Sequence, residues 1–357
     1  MKNDILALTK KFISIQSDPD NAVALERILA LALTHLKGYT IERFSKNGVQ
    51  SALVYNTPKR PKKFTVLLNA HLDVIPGKKS QYTPRVVGKR LYGVGAMDMK
   101  ANAACLIYAF KAVADKVDYP LALQLVTDEE VGGFYGTKYQ VEKGVRADFV
   151  IAGEPTNFDI VSRAKGVLWL RITAKGKTAH GAYPWRGVNA IWCMQDFLAT
   201  LKKKYPTPTR AQWKTTVNLS TIRTSNTTLN KIPDDCSVEL DIRFIPEDAK
   251  LILRNIRALL PKGFTIDTLA NEPALATPHS DKFLTLLATI GARVVKKRIT
   301  LRGAQGTSDA RHFAQVGCRG VEFGPIGEGI GSDDEWVDIP SLTKYHQIMK
   351  DFLLSVK

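Results

Sequence analysis

The chain has 357 residues, too many for one small module and suited to two domains. Apolar residues make up 45% and charged residues 24%, enough core material to exclude disorder as the dominant state. The 51 Lys and Arg exceed the 34 Asp and Glu by 17, which raises nucleic acid, a membrane surface or an anionic substrate as partners.

The opening MKNDILALTKKF is broken by charge throughout. It predicts an amphipathic helix on Ile5, Leu6, Leu8, Phe12 and Ile13, not a signal peptide. No run approaches the length of a membrane-spanning helix. Residues 64–75 (FTVLLNAHLDVI) start as a dense apolar run, the pattern of a strand buried on both faces. Residues 100–117 have helical periodicity. Residues 119–130 and 147–155 read as two more strands that end in acids. This alternation predicts an α/β domain with a mainly parallel central sheet. Ligands bind beyond the carboxyl ends of such strands.

The texture changes near Gly166. A strand, a helix at 188–204, strands at 215–223 and 236–244, a helix at 249–260 and a strand at 264–270 follow in turn. The order β-α-β-β-α-β predicts a ferredoxin-like module. Helical texture resumes at 282–294. The expected architecture is a split α/β domain, residues 1–165 and 281–357, with residues 166–280 inserted. Cys105, Cys193, Cys236 and Cys318 lie at neither metal nor redox spacing, so reduced thiols in a cytoplasmic protein are expected.

Four segments put metal-capable side chains at strand ends or in the loops after them. They are NAHLDVIPG (69–77), YGVGAMDMKAN (92–102), VTDEEVGG (126–133) and IAGEP (151–155). Singly, a His-x-Asp is more often a hydrogen-bonded pair, and Asp-Glu-Glu a solvated turn. Their joint occurrence at strand ends carries the argument. Acids gathered in one cleft repel and shift each other's pKa unless a cation sits between them. A divalent metal answers that problem, and one His with several carboxylates suits zinc, cobalt or manganese.

HLDVIP, GVGAMDMK, TDEEVGGFYGT and GEPT occur in this order, with GKTAHGAYPWRGVNAI at 176–191 and GTSDARHFA at 306–314. This series resembles the M20 family of metallopeptidases and deacylases, from about residue 5 to the end. The resemblance implies a zinc catalytic domain with an inserted ferredoxin-like lid or dimerisation domain, one or two metals, and hydrolysis of an amide bond by metal-activated water. It implies that His71 and Glu154 bind one metal, that Asp98 bridges two and that Glu130 binds the second. Asp73 would hydrogen-bond the His71 ring and fix its tautomer. Glu129 would be the general base.

One position departs from the family pattern. A histidine four residues before Glu335 would close the second metal site, but Gly331 stands there. None of the six histidines, His35, His71, His180, His279, His312 and His346, falls in that loop. Three readings stay open. Asp333 or Asp334 supplies an oxygen ligand, or the enzyme uses one metal, or the chain binds metal and peptide without turnover. A working hydrolase ranks first, because His71, Asp98, Glu129, Glu130 and Glu154 are all present. His312 is expected to pack or hydrogen-bond on a helix and not to replace the missing ligand.

On the substrate side, the resemblance implies that His180 stabilises the oxyanion. It implies that Asn230 and Arg243 contact a substrate carboxylate, while Gly306, Thr307 and Ser308 offer donors at a helix start. The expected substrate is an N-acyl amino acid or a small peptide with a free carboxylate. A homodimer through residues 166–280 follows from the resemblance alone. No membrane partner is expected. Nucleic acid is raised only by charge, with no recognised module and no aromatic stacking motif.

Overall fold

The computed structural model describes residues 2–357. The chain forms two compact units. The first comprises Met1–Arg163, Leu275–Gly303 and Ser308–Lys357, and the second Ala164–Ala274 with Ala304–Thr307.

The first unit begins with α1 (Lys2–Ile13), α2 (Ala22–Thr34), β1 (Thr40–Lys46), β2 (Val49–Tyr55), β3 (Phe64–His71), β4 (Arg85–Val87) and β5 (Arg90–Tyr92). It continues with α3 (Lys100–Val113), β6 (Leu121–Val126), α4 (Thr137–Glu142), β7 (Ala147–Ala152) and β8 (Ile160–Ala164). The second unit is β9 (Gly166–Lys175), α5 (Ala190–Lys204), β10 (Thr216–Arg223), β11 (Asp235–Phe244), α6 (Ile252–Arg257) and β12 (Phe264–Glu272). The chain then returns through β13 (Leu275–Ala276), α7 (Lys282–Val295), β14 (Leu301–Ala304), α8 (Ala310–Ala314), β15 (Arg319–Glu322), β16 (Gly327–Glu328), β17 (Trp336–Asp338) and α9 (Ile339–Ser355).

The main sheet runs β1-β2-β6-β3-β7-β15-β8-β13, with β14 beside β8. Its centre is parallel: β6, β3, β7 and β15 run the same way, flanked by antiparallel pairs. Helices cover both faces. Val66, Leu68 and Ala70 of β3 join a core with α1, α3, α7 and α9, while Phe64 and Leu67 join Val141 and Phe313 on the other side. A strand covered on both faces needs no polar alternation, which explains its unbroken apolar run. Asp281 caps α7 by accepting the Phe283 and Leu284 N–H groups.

The second unit is ferredoxin-like, with antiparallel order β10-β11-β9-β12. Leu168, Leu170 and Ile172 of β9 and Val238, Leu240 and Ile242 of β11 pack against Met194, Phe197 and Leu201 of α5 and Ile252 and Ile256 of α6. Residues 275–280, expected in the insert, sit in the first unit, where β13 joins the main sheet beside β8.

Candidate metal centre

β3 delivers His71 to the carboxyl end of the parallel sheet, where the ring is buried. Its Nε2 lies 3.1 Å from Asp98 Oδ1 and 4.0 Å from Glu154 Oε2. His71, Asp98 and Glu154 each offer one donor atom, and these atoms lie within 4.8 Å of one another. Asp98 comes from the loop between β5 and α3, and Glu154 from the loop after β7. The Asp98–Met99 peptide is cis.

Asp73 reaches the His71 ring through its main chain. The ring Nδ1 donates to its backbone carbonyl at 3.0 Å, while its carboxylate Oδ1 stays 3.6 Å away. A carbonyl only accepts, so the proton sits on Nδ1 and Nε2 faces the acids. Asp73 Oδ2 accepts the Glu130 N–H at 2.9 Å. The residue thereby ties the end of β3 to the short helical turn of Glu129–Val131.

Burial alone would lower the His71 pKa, but hydrogen bonding to Asp73 and Asp98 and the charge of Glu154 hold it well above the ordinary value. Burial drives the acids the other way. Glu154 is held well above the carboxylate range by burial and then by Asp98, against the pull of His71. Glu129 is raised by burial and by Asp309, Asp98 and Glu130, again against His71. Burial pushes Glu130 up to about 7, with Asp98 and Asp73 adding to it, while His71 and the Ile75 N–H oppose it. This many half-buried acids cannot all ionise around one imidazole. A divalent cation fits on two observations. One nitrogen and two carboxylate oxygens converge, and Glu154 Oε1 is buried with no hydrogen-bond partner.

Glu130 stays outside the converging trio. Asp333 and Asp334 also stay outside it, and both are exposed. Asp333 pairs with Lys78, and Gln81 Nε2 donates to the Ser332 carbonyl at 2.9 Å. Gly331 has φ +67°, and a Cβ there would meet Ile75 Cδ1 at 3.3 Å. A cavity of about 300 Å³ lies between Ile75, Pro76, Lys78, Gln81, Gly331 and Asp333. His312 packs as expected. It is buried on α8, lies against the Phe134 ring, and its Nε2 hydrogen-bonds the Gly132 carbonyl at 3.0 Å.

Other groups around the centre escaped the sequence reading. Glu335 is buried and its carboxylate accepts the N–H groups of Gly95, Met97 and Asp98. Lys100 is fully buried with Nζ on the Ile15 carbonyl at 2.8 Å, and burial pushes its amine down to about 7. Asp128 accepts the Tyr135 and Gly136 N–H groups, and Thr137 donates to buried Asp309. These contacts hold the loop that carries Glu129 and Glu130. Their signal in the sequence was the density of small residues and acids from 126 to 137, without any hint of partner.

Most of the substrate candidates belong to the second unit. His180 is exposed, accepts the Ala182 N–H on Nδ1 at 3.1 Å and lies against Tyr183. It bridges to Lys231, and Gly181 N–H donates to the Asn230 carbonyl at 2.7 Å, so His180 and Asn230 share one corner. Arg243 is already held by the two oxygens of Asp241, at 2.8 and 3.2 Å. Gly306 and Thr307 group with the second unit and Ser308 with the first. The helix after them has only five residues, too short for the full dipole an anion seat would use.

A parallel α/β sheet with an imidazole and carboxylates converging beyond its strand ends defines a candidate metal-binding protein of the α/β class. A family model for peptidase family M20/M25/M40 matches residues 67–355, and the chain belongs to that family. It is a metallohydrolase. Among curated relatives, a succinyl-diaminopimelate desuccinylase of Bordetella petrii is 29% identical over 98% of both chains. One from Methylibium petroleiphilum is 30% identical over 81% of both. Among solved structures, aminopeptidase PepT of Bacillus cereus superposes with TM-score 0.80 at 18% identity, over 99% of this chain and 98% of that one. A Bacillus subtilis dinuclear metal-binding peptidase of the M20 family gives 0.72 at 14%, over 99% and 97%. At such identities these two structures speak to the fold alone. Among the described residues, no helix is long and apolar enough to cross a membrane.

Proposed function

We propose that the chain hydrolyses the amide bond of an N-acyl amino acid or small peptide bearing a free carboxylate. The convergence of His71, Asp98 and Glu154 beside Glu129 carries this reading. The desuccinylase relatives make an N-succinyl amino acid the first substrate to try. His71, Asp98 and Glu154 would hold one ion, and Asp98 with Glu130 a second. A divalent ion bound there, zinc first and cobalt or manganese as alternatives, supplies Lewis acidity toward a carbonyl and a nearby water. Glu129 takes a proton from the attacking water and passes it to the leaving nitrogen as the C–N bond breaks. Asp73 keeps the His71 proton on Nδ1. His180, Asn230 and Arg243 are assigned the substrate contacts, with Gly306, Thr307 and Ser308 as further donors.

A single-metal enzyme is the second reading. Among the described residues three donors converge, and Asp333 pairs with Lys78. Metal content by elemental analysis, run with a panel of N-acyl amino acids and dipeptides, tests both. One metal per chain with turnover selects the single-metal enzyme, and two select the paired site. Binding without turnover, with any of the three metals, would leave a binding protein and defeat the hydrolase reading.

The homodimer through the inserted unit belongs to the same proposal. β10 is an edge strand with Leu219 and Ile222 exposed, which supports it. The four unpaired thiols support a reducing compartment such as the cytoplasm.

A further inference from the structure

We propose that Glu335 is a positioning residue for Asp98, fixing the metal ligand through the backbone of its loop. The inference rests on the assignment of Asp98 to the metal centre. β17 pairs with β5 so that Trp336 lies opposite Tyr92. That register puts Glu335 beside Gly93, whose N–H donates to the Glu335 carbonyl at 3.2 Å. Beyond Gly93 the chain leaves the small sheet in a turn. Gly93 and Gly95 have φ +152° and +72°, which side chains rarely adopt. At Gly95 a Cβ would also meet Lys100 Cδ at 2.9 Å.

The turn aims three backbone N–H groups at one carboxylate. Gly95 donates to Oε2 at 3.0 Å, while Met97 and Asp98 donate to Oε1 at 2.7 and 3.0 Å. The residue is 3% exposed, so water does not compete for these bonds. The last donor is the N–H of Asp98 itself, whose Oδ1 lies 3.1 Å from His71 Nε2. A small shift of the loop therefore moves a ligand oxygen relative to the imidazole. Glu335 itself is not in the converging trio, so it acts only through Asp98. Gln keeps one acceptor oxygen and turns an N–H donor toward the loop. Asp keeps both acceptor oxygens but falls one methylene short.

The test titrates cobalt(II) alone into the whole metal-free chain and follows its visible absorption. Wild type, Glu335→Gln and Glu335→Asp are compared at a temperature where circular dichroism shows each to be folded. Glu335→Gln is expected to weaken cobalt binding roughly 10- to 100-fold and to shift the absorption band. Glu335→Asp is expected to fall between, and it carries the test if the Gln variant does not fold. A purely structural role predicts lower thermal stability with unchanged affinity and an unchanged band, and that result overturns the inference. Failure of the wild type to bind cobalt defeats the metal assignment itself, and this inference with it. Binding by wild type and variant with equal affinity defeats the Glu335 inference alone.

Discussion

The two units differ in how much charge they bury. In the first, ionisable side chains lie inside: His71, Asp73, Lys100, Asp309 and Glu335 are all buried. In the second, Lys165 and Glu272 are buried, and other charges pair on the outer face, as in Arg171 with Glu239 and Arg243 with Asp241. Outer-face pairs cost little to solvate and contribute little. Buried groups cost several kcal/mol unless hydrogen bonds or a counter-charge offset them. A fold retains such groups where they have work to do. The contrast separates a unit built around chemistry from one built by ordinary alternation: β11 alternates half-buried and buried along its whole length.

The largest effect expected from breaking this contrast is at Glu129. Glu129→Gln should lower kcat about 1,000-fold while cobalt binding, read by titration, stays near wild type. Near-normal turnover in that variant would remove Glu129 from the mechanism. Next comes the core beneath the site. Leu68 on β3 is fully buried, and Leu68→Ala should cost about 2–5 kcal/mol in urea unfolding. A cost below about 1 kcal/mol would mean that the parallel sheet repacks freely around the cavity, which contradicts a rigid platform for His71.

The sequence carried the large pattern because the large pattern is periodic. Apolar runs that end in His71, Glu129, Glu130 and Glu154 mark buried parallel strands and place those residues at one sheet end. The β-α-β-β-α-β order marks the insert. The Asn47-Gly48 pair also announced the β1–β2 hairpin, with both residues at positive φ, although no strand was expected there. What escaped depends on tertiary contact. Glu335 meets its loop 237 positions away, through strands of three residues that carry no readable period. Lys100 looks like a surface lysine after Asp98 until α3 packs it away. Arg243 looks free until Asp241, two residues before it on the same strand face, takes its guanidinium.

The smaller effects compare the units residue by residue. His312 is buried in the first unit, where burial and then Arg311 push it down to about 2. Unfolded, it titrates near 6.5. The unfolded chain therefore binds the extra proton below that pH. The stability from neutral His312 is present above pH 6.5 and is lost as pH falls, at up to about 1.4 kcal/mol per unit. Urea unfolding from pH 7.5 to 5 should show this slope, and His312→Gln should flatten it relative to wild type. Identical slopes would mean that carboxylates alone set the acid sensitivity. The smallest effect is expected at Leu219, 45% exposed on the edge strand β10 of the second unit. Leu219→Ser should change unfolding stability by less than about 0.5 kcal/mol. If the edge pairs two copies, the same change should raise the dissociation constant in analytical ultracentrifugation. Stability would then depend on protein concentration in the wild type and much less in the variant. A wild type that sediments as a monomer at every concentration would leave the edge strand solvated, and the contrast between the units would then rest on the buried charges alone.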